Sequence, residues 1–276
     1  VVGQPCRDAS VEEDQVECGH ASVEAARFNL ATGDWSVVAS PKSVSPPGSV
    51  FVVARKGSSD SHAYFSVGTA DANVLVEYDV DADAWRRVPD APTIKRTEIS
   101  RGEVGEVGGY CTVDGALFAA QADGTTNTLH STRWDVRASA WVGVPDVTLP
   151  ADAVLDQTAC WKDSFVHLSY SRVGVTGPML WLDGTDRTWA RVPAPPVRRR
   201  FDARLSAAEA NGARVYWPGS NDEDPNVYVL PRGSKRWRAT PSPLQSPVQL
   251  LEVDGAVIAG SLPDRISVPK FVVVGT

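Results

Sequence analysis

Tryptophan recurs along this chain at Trp35, Trp85, Trp141, Trp189 and Trp237, at spacings of 50, 56, 48 and 48 residues. A period near 50 residues means one supersecondary unit built several times over, each copy burying its apolar face against the next. The surroundings repeat as well. Six residues before each tryptophan stands Asn29, Asp79, Asp135, Asp183 or Pro231. One position earlier lies a large apolar residue: Phe28, Tyr78, Trp134, Leu182 or Leu230. Three copies reach proline four residues after the tryptophan, in Arg87-Val88-Pro89, Gly143-Val144-Pro145 and Arg191-Val192-Pro193. The pattern predicts a strand, a tight turn, and a second strand beginning at tryptophan.

A second hairpin signal precedes four of these units, and a further copy follows the last tryptophan. Asp114-Gly115 lies between Tyr110–Val113 and Ala116–Phe118, Asn211-Gly212 between Ala208–Ala210 and Ala213–Tyr216, and Asp254-Gly255 between Leu251–Val253 and Ala256–Ile258. Ala159–Val166 and Ser49–Val67 occupy the same place in their copies. A two-residue Asp-Gly or Asn-Gly turn between apolar runs is a strong hairpin signature. Each repeat is then four strands, a to d, in antiparallel meander order, which is the plan of a propeller blade. Only Ala203–Ala210 reads as briefly helical, and it falls where a strand a is due. The expected fold is an all-β propeller forming one domain over residues 1–276, with blades near 1–40, 49–91, 108–147, 155–195, 204–241 and 247–276.

Six blades use every apolar segment. Val1–Cys6 and Gln15–Gly19 then supply strands a and b of the first blade, and Phe271–Gly275 supplies strand c of a last blade that lacks strand d. In the alternative, five blades close by pairing the hairpin Val248–Gly260 with the N-terminal strands that end at Trp35.

The aromatic residue, the turn with its acidic residue, and the tryptophan six or seven positions on resemble the kelch family, whose propeller is of the galactose-oxidase central-domain type. The resemblance covers nearly the whole chain. It departs at the family's glycine doublet, which closes strand b; here Gly108-Gly109 stands before strand a instead. The resemblance implies the fold, and a fold of this kind hosts many functions.

With 276 residues, 42% of them apolar, the chain can bury a substantial core. A net charge of −7 argues against a general nucleic-acid-binding role. No run of 18 apolar residues is present to span a membrane as a helix. The chain starts at Val1 and its one methionine is Met179, which reads as a processed or truncated N-terminus compatible with a secreted or organelle-imported protein. Four cysteines are too few for a disulfide scaffold. Cys6 and Cys18 flank a polar stretch that a disulfide would close into a loop, whereas Cys111 and Cys160 stand in apolar segments and read as buried free thiols.

Strand order sorts the loops. The a–b and c–d turns share one face and are short; the b–c and d–a connections share the other and read as longer. They include Thr69–Asn73, Ala122–Asn127, Ser171–Gly177, Gly219–Asn226, Pro92–Gly108 and Pro195–Arg204. Variable loops on a rigid scaffold are where function concentrates. Lys95, Arg96 and Arg101 stand on one d–a connection and Arg198, Arg199 and Arg200 on another, a set able to hold an acidic peptide or a phosphate group. The kelch resemblance also puts an arginine at the rim after strand d, a position matched by Arg96 and Arg199.

Catalytic signals are sparse. His20, His62, His130 and His167 fall in different repeats without ligand spacing, so neither a metal nor a cofactor is expected. Asp79-Val-Asp-Ala-Asp83 imitates the start of a calcium loop but lacks its central glycine and downstream glutamate. The expectation is therefore a non-catalytic module binding a protein partner through the b–c and d–a face. The alternative is a carbohydrate-active propeller, lectin or glycosidase, with tryptophans or converging carboxylates at the channel mouth.

Overall fold

The fold was analysed in a computed structural model. It describes residues 2–3, 9–12, 15–18, 24–28, 32–38, 50–53, 62–68, 73–94, 108–153, 155–161, 164–171, 174–196, 206–210, 213–217, 226–241, 249–253, 256–261 and 270–273. The chain divides into two units, Val1–Asp90 and Ala91–Thr276. Both are built of antiparallel sheet.

In the first unit, β1 (Val2–Gly3), β4 (Glu24–Phe28) and β5 (Trp35–Val38) form a three-stranded sheet in the order β1-β4-β5. Strands β2 (Ala9–Glu12) and β3 (Gln15–Cys18) pair with each other as a separate hairpin. This corrects the expectation that Gln15–Gly19 is the second strand of the first sheet. That place beside β4 is taken by β1, through Val2↔Ala25 and Gly3↔Glu24. The second sheet is a meander of β6 (Val50–Val53), β7 (His62–Gly68), β8 (Asn73–Asp79) and β9 (Ala84–Val88).

The second unit continues the series. The third sheet contains β10 (Gly108–Val113), β11 (Ala116–Asp123), β12 (Thr128–Asp135) and β13 (Ala140–Thr148). The fourth contains β14 (Leu155–Trp161), β15 (Ser164–Ser171), β17 (Met179–Asp183) and β18 (Thr188–Val192), with the two-residue β16 (Gly174–Val175) added to the end of β15. The fifth contains β19 (Ser206–Ala210), β20 (Ala213–Trp217), β21 (Asn226–Leu230) and β22 (Arg238–Pro241). The last is three-stranded: β23 (Gln249–Val253), β24 (Ala256–Ser261) and β25 (Lys270–Val273). Segment 206–210 is thus strand where its alanine and glutamate content suggested helix. Its pairing with β20 overrides a weak local propensity.

Register explains why the repeat has its particular spacing. Phe28 faces Trp35, Tyr78 faces Trp85, Trp134 faces Trp141 and Leu182 faces Trp189. The large apolar residue seven positions before each of these four tryptophans is therefore its cross-strand partner, and such pairs are the unit of sheet stabilisation. Ring centroids lie 4.8 Å apart in Tyr78–Trp85 and 5.5 Å apart in Trp134–Trp141. A four-residue loop joins these strands in the second, third and fourth sheets. The aspartate that opens it accepts two backbone N–H groups: Asp79 Oδ1 from Asp81 and Ala82, Asp135 Oδ1 from Arg137 and Ala138, Asp183 Oδ1 from Thr185 and Asp186, all within 3.0 Å. The residue two places before tryptophan is left-handed, at Gly33 (φ 76°), Asp83 (48°), Ser139 (48°) and Arg187 (57°). The six-residue gap between aspartate and tryptophan is this turn.

Within the second unit the first strands stand side by side, β10 against β14, β14 against β19 and β19 against β23. The fourth sheet is buried on both faces. On β15, Phe165 packs toward the third sheet and Val166 toward the fifth; on β17, Leu180 and Leu182 face one way and Met179 and Trp181 the other. Strands so enclosed read as continuous apolar runs, as in Met179-Leu-Trp-Leu182. Between the third and fourth sheets lie Val113, Phe118, Leu129 and Val144 on one side, with Phe165, Leu180 and Trp189 on the other. Between the fourth and fifth, Trp181, Met179 and Val192 meet Tyr228 and Leu230, and the Arg214 guanidinium sits 5.4 Å from the Trp181 ring centroid.

Candidate functional site

Loop placement in the second unit follows from contacts between named turns. Asp114, in the a–b turn of the third sheet, lies against Gly184 in the c–d turn of the fourth: a Cβ on Gly184 would come within 2.3 Å of its carboxylate. At the other ends of the strands, Leu149 N–H donates to Asn127 O at 2.8 Å, joining a d–a connection to a b–c turn. Pro150 on that connection abuts Gly177 in the next b–c loop. The a–b and c–d turns therefore share one face, and the b–c and d–a connections the other.

The second face is less uniform than the first, and in one place shorter than expected. β11 runs through to Asp123, so the first described b–c link is only residues 124–127, built like the c–d turns: Asp123 Oδ1 caps Thr125 N–H at 2.8 Å and Asn127 is left-handed (φ 49°). The next b–c link is different. It folds back as β16, pairing Tyr170 with Val175 and Ser171 with Gly174, and Thr176 N–H donates to Ser169 O at 3.0 Å. Lys95, Arg96, Arg101, Arg198, Arg199 and Arg200 all lie outside the described residues, as do Asp222, Glu223 and Asp224. The described parts of their connections end at Ile94 and Pro196. Ala91–Ile94 is anchored to the third sheet through Ala91 N–H to the Tyr110 hydroxyl (3.3 Å) and the Thr93–Thr132 hydroxyl pair (3.3 Å).

The densest charged group is on the second sheet. Glu77, in the middle of β8, is wholly buried (0% exposed). Arg86 on β9 grips it at both oxygens, Nε to Oε2 at 2.6 Å and Nη2 to Oε1 at 2.8 Å, and His62 Nδ1 on β7 lies 2.7 Å from Oε1. Register makes this possible, since Glu77 faces both Tyr64 and Arg86 while His62 faces Asp79. A bidentate guanidinium–carboxylate pair is among the stronger charged contacts a sheet can make. Chemically the carboxylate is committed: both oxygens are engaged by cationic or ring-nitrogen partners, so the cluster braces three strands. Asp79 has its own duty in the turn. Its carboxyl is held below the ordinary carboxylate range, first by the Ala82 N–H, against an opposing effect of burial, and then by His62, the Asp81 N–H and Arg86. The Arg86 guanidinium is in turn held more firmly protonated, chiefly through its bond to Glu77.

The other described histidines are also tied into sheets. His167 is buried between the Thr158 hydroxyl, 3.0 Å from Nδ1, and the Ser169 hydroxyl, 3.4 Å from Nε2. His130 Nδ1 lies 3.0 Å from Asp146 Oδ2, at a bulge where Ser131 faces Val144 and Leu129 faces Val147. His20 is outside the described residues. In the segment resembling a calcium loop, the Asp79 carboxylate caps its own turn and Asp83 accepts the Tyr78 hydroxyl.

The repeat tryptophans differ in setting. Trp189 is buried, and its indole N–H donates 2.8 Å to Ser131 Oγ of the preceding sheet. The Trp237 N–H reaches Pro193 O of its own preceding sheet at 2.8 Å. Trp141 packs on Tyr110 and Trp134, and Trp35 is 60% exposed. Cys6 and the Cys18 side chain fall outside the described residues. Cys111 and Cys160, expected as free thiols, are joined in a disulfide with Cα atoms 5.2 Å apart. Each sulfur stands in an apolar segment that would suit a buried thiol, but equivalent positions on first strands become neighbours once those strands stand together.

No family model matches the chain, and no curated protein matches it. Among solved structures it is similar to a prolyl endopeptidase studied for inter-domain dynamics in catalysis and specificity, with a TM-score of 0.53 and 13% identity. That likeness covers 86% of this chain and 36% of the other. The fold is propeller-like. The structure of YjhT is also similar, at a TM-score of 0.49 and 12% identity over 97% of this chain and 96% of that one. This propeller-like chain spans about a third of the endopeptidase's length, and the likeness is one of fold.

Proposed function

We propose that the six sheets are blades of a kelch-type propeller that works as a non-catalytic interaction module, binding a protein partner through the b–c and d–a face. One observation carries the reading. The c–d turns of the second, third and fourth sheets are built alike, each capped by its own aspartate, whereas successive b–c links on the opposite face differ, one a four-residue turn and the next an excursion through β16. A uniform face serves the scaffold, and a varied one is where binding is selected. The basic residues Lys95, Arg96, Arg101, Arg198, Arg199 and Arg200 belong in sequence to the connections of that varied face and suit an acidic partner surface.

The test is a pull-down from the native source with wild type and a variant carrying Arg96→Glu, Arg198→Glu, Arg199→Glu and Arg200→Glu. The reading requires a partner that is lost in the variant while thermal unfolding is unchanged. Capture of the same proteins by both would overturn it.

A carbohydrate-binding reading is favoured by Trp35, whose 60% exposure presents an indole face of the kind that stacks on sugar rings. A glycan array read with wild type and Trp35→Ala tests it; binding unaffected by the substitution removes its support.

A further inference from the structure

The Cys111–Cys160 disulfide joins two repeat-equivalent positions, 49 residues apart, on the adjacent first strands β10 and β14. Its two halves stand in opposite surroundings. Cys111 is 0% exposed and belongs to the apolar wall between the third and fourth sheets. Cys160 is exposed. We infer that Cys160 is a redox modification site, open to S-thiolation by a small monothiol of the glutathione class, with Cys111 as the buried leaving thiol.

Thiol–disulfide exchange requires in-line approach to one sulfur, and access selects which. The monothiol's thiolate bonds to the Cys160 sulfur and the Cys111–Cys160 bond breaks. Its electron pair leaves on the Cys111 sulfur, which takes a proton from water. A second monothiol, attacking the mixed disulfide at the first monothiol's sulfur, frees Cys160 and leaves with it as the oxidised dimer. The wall is already furnished for the thiol that remains. The Cys111 sulfur lies 3.5 Å from Ser164 O and 3.7 Å from Thr112 O, so a newly formed S–H has carbonyl acceptors in place. The sheets stay joined meanwhile by the surrounding apolar cluster and by the Trp189–Ser131 bond, so the exchange uncouples two first strands without dismantling the wall.

The experiment treats the folded full chain with reduced glutathione, quenches with acid, and maps adducts by peptide mass spectrometry, which separates Cys6 and Cys18 onto other peptides. The expected adduct is on Cys160, in at least about tenfold excess over Cys111, with Cys111 alkylated only after denaturation. An adduct mainly or equally on Cys111 would overturn the inference. So would a pair that exchanges only once the chain unfolds. Single variants give a second reading. Cys111→Ser should leave Cys160 open to iodoacetamide, and Cys160→Ser should leave Cys111 about tenfold or more slower; equal rates in two folded variants would also overturn the inference.

Discussion

The indole nitrogen of Trp189 donates a 2.8 Å hydrogen bond to Ser131 Oγ, crossing the wall from the fourth sheet to the third. Both residues are buried, and the same tryptophan rests on Phe165 with ring centroids 5.4 Å apart. One repeat residue thus packs within its own sheet and hydrogen-bonds to the one before it. Trp189→Phe keeps most of the ring but strands a buried hydroxyl, and should cost about 1–3 kcal/mol. Ser131→Ala should cost less. In the double variant the two losses should fall short of additive, since the second change removes a partner already lost. Chemical denaturation of the four proteins measures this, and strict additivity would show that the bond carries no coupling.

The Glu77–Arg86 pair should respond unequally to loss of either partner. Arg86 is about a third exposed, with its side chain at 37%, so without Glu77 its guanidinium can turn to water. Glu77, at 0%, has no such escape. Arg86→Ala should therefore destabilise by about 3 kcal/mol, since the buried carboxylate is left with His62 alone beside it. Glu77→Gln should cost about 1 kcal/mol, as for a partly exposed pair. Equal effects in denaturant titrations would contradict the burial asymmetry.

Acid should weaken the c–d turns. The carboxyls of Asp79 and Asp135 are both held below the ordinary range, most of all by the backbone N–H groups of Ala82 and Ala138 respectively. A carboxyl lowered in the folded state binds protons more readily in the unfolded chain. Its contribution is therefore fully present above the unfolded value of about 4 and is lost as pH falls through the lower, folded value. Asp79→Asn and Asp135→Asn should lower stability near neutral pH, where the charge-assisted turn bonds are lost, and flatten the profile below about pH 4. Thermal midpoints across pH 2–7 test this, a range set by ordinary carboxylate titration. A profile as steep in the variants as in wild type would refute the assignment.

The left-handed residue two places before tryptophan gives a backbone prediction. Arg187 holds φ 57° with a side chain that conformation disfavours, and glycine relieves it. Arg187→Gly should stabilise by roughly 0.5–1 kcal/mol. Gly33→Ala, at φ 76° with open space around it, should destabilise by about 1 kcal/mol through strain alone. Opposite signs in urea midpoints are the expected result.

Much of the sheet pattern was legible in the chain because it is local. Strand, turn and tryptophan repeat with a spacing that follows directly from cross-strand pairing over a four-residue loop, and both ends of that pairing lie within eight residues of each other. The helical reading of Ala203–Ala210 failed because short alanine-rich segments follow their hydrogen-bond partners more than their propensity. The misplaced strand at Gln15–Gly19 failed for a related reason: a four-residue strand of alternating polar and apolar residues carries no mark of which edge it joins. The length of the first b–c link was also misjudged. Asp123 there repeats the capping chemistry of Asp79 and Asp135, and that aspartate was the signal available to find it.

The amino-acid order by itself determined the all-β class, the unit of repetition, the tight turn before the tryptophan and the residue that faces it in the first four repeats. Each of these is settled by sterics and hydrogen bonds over a few consecutive residues. Contacts between sheets were decided only by the tertiary structure: Trp189 on Ser131, Gly184 under Asp114, and the bond between Cys111 and Cys160. Those partners lie 49 to 70 residues apart. Nothing in either local sequence names the other until the first strands stand side by side, because proximity across a wall belongs to the packing of whole sheets rather than to any segment of chain.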